Sequence, residues 1–269
     1  MFRDLLVHVD GSDAGRRRVK FAADLAERTQ ARLSGLHVTP PAEAPVQFKP
    51  SLVDRIEGEI AERLDADAHM SATIFKEETG LRPAETAWSE ATGDVVDGVC
   101  DQAGFTDLVI LGQYERQGRP EHHPLPIAHS VISRCGRPVL VVPAAGATCA
   151  LDRVAVVWDG SREAIRAIHD ALPLLGLART VEIVMVTAPS DGDRDAGSLR
   201  LHLAHHGIAV EDEVAQVADY ADLPRRIADG GYDLLVLGGS SKPAWIDFLF
   251  GDVTLDLLLS STIPVFVSH

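Results

Sequence analysis

Short, almost uninterrupted apolar runs alternate along this chain with longer segments whose apolar residues recur at every third or fourth position. DLLVHVD (4–10) is the first run and reads as a strand. Gly11 and Ser12 end it, Ser12 is placed to cap a helix, and Val19, Ala22, Ala23 and Ala26 carry helical spacing to about Thr29. ARLSGLHVTP returns to strand, ending at Val38, and the proline-rich stretch from Pro40 to Pro50 leads into a long helical segment, Leu52 to Glu78, charged on one side. A strand near Glu85 to Trp88, a helix near Gly93 to Ala103, the run DLVILG (107–112), a short helix and GRPVLVVP, ending at Pro143, continue the alternation.

AAGATCA (144–150) has the small, featureless composition of a linker, and the pattern then starts again. RVAVVWDGS repeats LLVHVDGS, YDLLVLGGS repeats TDLVILGQY, and TIPVFVSH repeats GRPVLVVP. Asp159 follows Asp10 by 149 positions, whereas Gly238 follows Gly112, and Pro264 follows Pro138, by 126. The second copy is therefore about 23 residues shorter, and the loss falls in the loop and long helix after its second strand.

VAVVW, IVMVT and LLVLG are apolar on both alternations, as strands are when helices cover both faces of a parallel sheet. Each copy, residues 1–145 and 151–269, is expected to be a doubly wound α/β domain, the two forming a tandem repeat. In such sheets ligands bind beyond the strand C-termini where strand order reverses. In the second copy that edge carries Asp159, Thr187 and Gly238.

Charge and composition narrow the functions. A net charge of −15 argues against a nucleic-acid-binding surface, which needs clustered Lys and Arg to displace counterions. Arg16, Arg17 and Arg18 read as the solvated face of an amphipathic helix. No apolar run approaches the roughly 20 residues needed to span a bilayer. Cys100, Cys135 and Cys149 are odd in number, lack metal-like spacing and follow no signal peptide, which points to a reduced, cytoplasmic setting. His202, His205 and His206 have chelating spacing on a helix, and His122 and His123 are adjacent, yet neither set brings an obvious cysteine or a local acidic ligand, so solvated histidines are the expectation. No nucleophile elbow, Walker loop, HExxH, CxxC or GxGxxG appears, so the motifs build no case for an enzyme.

VDGS and WDGSREA after the first strands, LHV and VMV at the second, DLVILG and DLLVLGG at the fourth, FLFGDVT before the last helix, and the closing PVLVVP and PVFVSH resemble, in order and twice over, universal stress protein domains. The resemblance covers essentially the whole chain and implies two Rossmann-like domains of the adenine-nucleotide alpha-hydrolase-like type. The family's ATP-binding branch carries G-x2-G-x9-G-[ST], a loop that holds ribose and phosphates. Here Gly238 matches the first glycine and Gly251 the third, Ser241 stands at the second, and Asp252 replaces the hydroxyl residue ahead of Val253 and Thr254. The resemblance thus nominates Trp158, Asp159, Val186, Leu237, Gly238, Ser241, Gly251, Asp252, Val253 and Thr254 as a site for ATP or a related adenine nucleotide.

Asp252 changes the charge of that site. A carboxylate about 4 Å from a polyphosphate is repelled by several kcal/mol at an effective dielectric near 20, unless Mg²⁺ or Lys242 compensates. The same carboxylate stabilises the helix dipole by about 0.3–1 kcal/mol, a purely structural role. In the first copy Glu115, Leu125 and Pro126 fall at the motif positions and leave little phosphate cradle, although Asp10, Val38 and Gly112 keep the adenosine end. Asp10 and Asp159 also read as turn-forming residues, and Trp158 as a core residue. The family's dimerisation through last strands implies that Pro138–Pro143 and Pro264–His269 pair within the chain, and leaves a homodimer of such chains open. Three functions follow: a stress-response module responding to nucleotide through its second domain, an interaction protein without nucleotide, or a slow ATPase whose base and metal ligands the sequence does not name.

Overall fold

The computed structural model describes residues 1–42, 50–114, 127–186, 196–211, 214–218, 220–239 and 253–269. The first half runs β1 (Asp4–His8), α1 (Asp13–Thr29), β2 (Arg32–Thr39), α2 (Pro50–Thr79), β3 (Thr86–Thr92), α3 (Val95–Ala103), β4 (Leu108–Gly112), α4 (Ile127–Arg134) and β5 (Val139–Val142). The second runs β6 (Arg153–Trp158), α5 (Arg162–Leu175), β7 (Thr180–Val186), α6 (Ala196–His205), β8 (Ala215–Val217), α7 (Leu223–Asp229), β9 (Leu234–Gly238), α8 (Val253–Ser260) and β10 (Val265–Ser268).

The ten strands among the described residues belong to one sheet, in the order β3-β2-β1-β4-β5-β10-β9-β6-β7-β8. Each half contributes the same parallel arrangement, and the halves meet where β10 pairs antiparallel with β5, Val265 opposite Val141, Phe266 opposite Leu140 and Val267 opposite Val139. Gln113, just after β4, adds a second tie: its Nε2 donates to the Ser261 carbonyl at 2.9 Å.

The period-2 alternation of the strands sorts their side chains between two cores. Leu5, Val7, Leu140 and Phe266 face the core under α1, α2, α5 and α6, while Leu6, Val139, Val141 and Val267 face the one under α3, α4, α7 and α8. Both cores run through the seam, so each is shared by the two halves.

Local signals act as the sequence implies. The Ser12 hydroxyl accepts from the Gly15 amide at 2.9 Å to start α1, and that of Ser161 accepts from Ala164 at 3.1 Å to start α5. The helix expected at Leu52 to Glu78 is the 30-residue α2, while its counterpart α6 has 10 residues. The linker differs from the featureless connection its composition implies. Arg17 donates to the Ala144 carbonyl at 2.9 Å, and Arg28 donates to the Cys149 and Ala150 carbonyls, so α1 holds the connection against the first half.

Candidate functional site

The parallel strands of each half end at a common edge, where the register sets β4 beside β1 and β9 beside β6. In the second half Trp158 pairs with Met185, and Val156 pairs with Val236, which puts Gly238 level with Trp158 and Met185 at the strand edge, with Asp159 and Val186 one residue further on. The Asp159 carboxylate accepts from the Ser161 amide at 2.8 Å, and Gly160 takes φ 68°. Asp159 therefore shapes the turn into α5 while standing at the strand edge.

The side chains of Val186 and Leu237 are buried in the core on the α7–α8 side, so only their backbones are at the edge. Trp158 packs against the opposite core and lines a groove between α5 and α6. Gly238 closes β9, and a Cβ on it would come within 2.6 Å of the Ala164 amide nitrogen and of the Glu163 carbonyl carbon. Close approach of α5 therefore demands glycine there before any ligand is considered. Val253 and Thr254 are the first residues of α8, while Ser241, Gly251 and Asp252 lie outside the described residues.

The first half carries a cluster that sequence reasoning missed. Arg18 does not lie on a solvated face: it is 5% exposed, and its guanidinium enters the crevice between β1 and β4. Its Nε donates to the His8 carbonyl at 2.7 Å and one Nη to the Asp10 carboxylate at 2.7 Å, and a Cβ on Gly112 would fall 1.9 Å from the other. The rest of the arginine run is engaged too, Arg16 with Glu77 at 2.8 Å and Glu78 at 3.0 Å on α2, and Arg17 with the linker. The available signal was Arg18 falling in helical register with Phe21, Ala22 and Leu25, all buried on α1.

Around His8 stand Arg18, Asp10, His37 and Asp67. His37 on β2 is buried, its Nδ1 bonds the Val9 carbonyl at 3.0 Å, and its Nε2 has no partner among the described residues. The Asp67 carboxylate on α2 accepts from the Gly11 amide at 3.1 Å, which brings the long helix over the Asp-Gly turn. Burial, reinforced by the Arg18 charge, lowers the His8 pKa to about 4. Burial alone would raise the pKa of Asp10, but Arg18, His8 and the Ser12 hydroxyl outweigh it and hold the carboxyl well below its ordinary range.

Among the described residues no group of three or more His, Cys, Asp or Glu is arranged to hold a metal, and no helix is long and apolar enough to cross a membrane. His202 and His205 lie on α6, His206 lies just beyond it, and the His202 and His206 rings stand 4.8 Å apart.

An open α/β sheet, doubly wound and doubled across an antiparallel seam, with an Asp-Gly-Ser turn at the C-terminal edge of each half, defines a Rossmann-like α/β class. Residues 1–143 match the model of the universal stress protein family, and the chain belongs to that family. A universal stress protein from Archaeoglobus fulgidus DSM 4304 shares the fold over 99% of this chain and 96% of its own, with TM-score 0.73 at 16% identity. A functionally unknown protein from Pseudomonas aeruginosa PAO1 does so over 99% and 92%, with TM-score 0.59 at 14% identity. Comparison with curated proteins gives no match.

Proposed function

We propose that the chain is a tandem universal stress protein, with domains at 1–145 and 151–269, that serves the stress response as a binding or regulatory module and takes ATP or a related adenine nucleotide in its second domain alone. The observation that carries this reading is the contrast at one position of the repeat. Arg18 fills the crevice of the first half and forms an ion pair with Asp10, whereas the residue 149 positions on is the small, buried Ala167. The strand edge at which Asp159, Val186 and Gly238 lie within one residue of the same level supports the location, and the start of α8, which Gly251 precedes in sequence, is the phosphate end of this reading. The pairing of β5 with β10 supports reading Pro138–Pro143 and Pro264–His269 as a dimer interface enclosed in one chain.

Calorimetry with ATP and Mg²⁺ tests the reading. One site per chain is expected, lost on Asp159→Ala and kept on Asp10→Ala. Binding that survives Asp159→Ala, or that is lost with Asp10→Ala, would overturn it. If the wild-type chain binds nothing and Asp252→Ser binds ATP, the second site has decayed through its added carboxylate and the protein works through its surfaces.

A further inference from the structure

Helix α2 is longer than the sheet it covers. Ser71, Ile74, Phe75 and Thr79 bury its C-terminal turns, whereas none of residues 53–70 is buried. Asp67 already lies at the Gly11 turn, beyond the end of β1, so residues 53–66 continue past the sheet edge for about 20 Å. That overhang is still amphipathic. Val53, Ile56, Ile60 and Leu64 continue the stripe that packs further along the helix and are only partly buried, and five acidic residues against two arginines give the overhang a net negative charge.

The second half has the complementary deficit. Its α6 is too short to cover α5 as α2 covers α1. At Arg16, α1 is bridged to Glu77 and Glu78 of α2, but the matching α5 residue is Ile165, 54% exposed. Ile165 opens onto a groove of about 340 Å³ between α5 and α6, lined also by Trp158, Ile168 and Leu199, with His169 and His202 at its polar positions. Leu201 on α6 adds a further apolar surface, 59% exposed. In contrast to the chain as a whole, α6 carries Arg200, His202 and His205 and no acidic residue, while on α5 Arg162 and Arg166 are paired with Glu163 at 2.6 Å and Asp170 at 3.7 Å.

We propose that the α5–α6 groove receives the α2 overhang of a second copy of this chain. An acidic apolar ridge and an apolar groove whose α6 rim carries basic residues and no acidic one are complementary in shape and in charge. Since each chain carries one of each, a two-fold arrangement makes the exchange reciprocal and closes it at two copies. The helix length surplus to the first half then covers what the second half leaves open. This interface is separate from the β5–β10 seam and does not depend on nucleotide binding.

Sedimentation velocity on the full chain tests the proposal, with Ile60→Glu and Ile165→Glu as variants. Neither position is buried, so both variants are expected to keep the wild-type unfolding midpoint. The wild-type chain is expected to dimerise in the micromolar range, and each substitution to weaken the dimer by about tenfold or more. Mixing an Ile60→Cys chain with an Ile165→Cys chain under mild oxidation should then give a covalent heterodimer that wild-type chains do not form. A wild-type chain that stays monomeric, a dimer indifferent to either substitution, or no covalent product from the mixture overturns the proposal.

Discussion

The guanidinium of Arg18 lies so close to Gly112 that a Cβ on the glycine would stand 1.9 Å from one of its nitrogens. At the end of β4, helix α1 and the strand thus meet through a buried cation, beyond the apolar contact that Leu108 and Ile110 make under the helix. Gly112→Ala must displace that cation, and a cost of about 1–3 kcal/mol is expected from overpacking. Arg18→Ala leaves Asp10 without its partner and is expected to cost about 3 kcal/mol. In the double variant the losses should not add, because both act on one contact. Denaturant unfolding of the three variants measures this, and strict additivity would show that Arg18 and Gly112 are uncoupled.

Acid should weaken the first half in two steps. Above its ordinary pKa of 6.5, His8 is neutral whether the chain is folded or not. As pH falls from 6.5 toward about 4, the unfolded chain takes up a proton that the folded one resists, so stability declines by about 2–3 kcal/mol. Asp10, whose folded pKa is depressed, stabilises above its ordinary value of 3.8 and loses that contribution as pH falls further. Melting temperature against pH should show both steps, with His8→Asn removing the upper one. An unchanged profile in the variant would assign the upper step elsewhere.

Phe266 is fully buried on β10 in a core shared by both halves, with Leu140 opposite it across the seam. Phe266→Ala is expected to cost about 3–5 kcal/mol. Because the cores are continuous, tryptophan fluorescence and far-ultraviolet circular dichroism should report one coincident unfolding transition. Two separated transitions would mean that the halves fold as independent units.

The three thiols should differ in reactivity. Cys149, within the linker, is buried, and burial pushes its pKa up to about 11, whereas Cys100 and Cys135 are only partly covered. Since the thiolate is the nucleophile, Cys149 should be alkylated last in the native protein. Mass spectrometry after timed iodoacetamide treatment checks the order, and early labelling of Cys149 would show that the linker opens.

Where burial alone decides a residue's role, the sequence was informative. The apolar runs at Leu5–Val7 and Leu234–Leu237 are strands with both faces covered, and the Asp-Gly-Ser turns at Asp10 and Asp159 begin helices through serine caps. Of the nominated site, Asp159, Val186 and Gly238 come to one edge because β6, β7 and β9 are neighbours in register. Trp158 turns instead toward α5 and α6, a direction fixed by the pleat and by which face each helix takes. Gly238 looks in sequence like a ligand glycine, yet the backbone of α5 already requires it.

The sequence by itself determined the alternation of strands and helices, the doubling of the unit and the place of the second half's shortening, because each is written in local periodicity or in offsets between matching residues. Only the tertiary structure decided that Arg18 is buried, that β5 and β10 join two half-sheets into one, and that α2 outruns the sheet while α5 lies open. These depend on what stands opposite a residue. For Arg18 that is the bare backbone of Gly112 and the carboxylate of Asp10, partners that offset the cost of burying a cation and that helical spacing alone does not reveal.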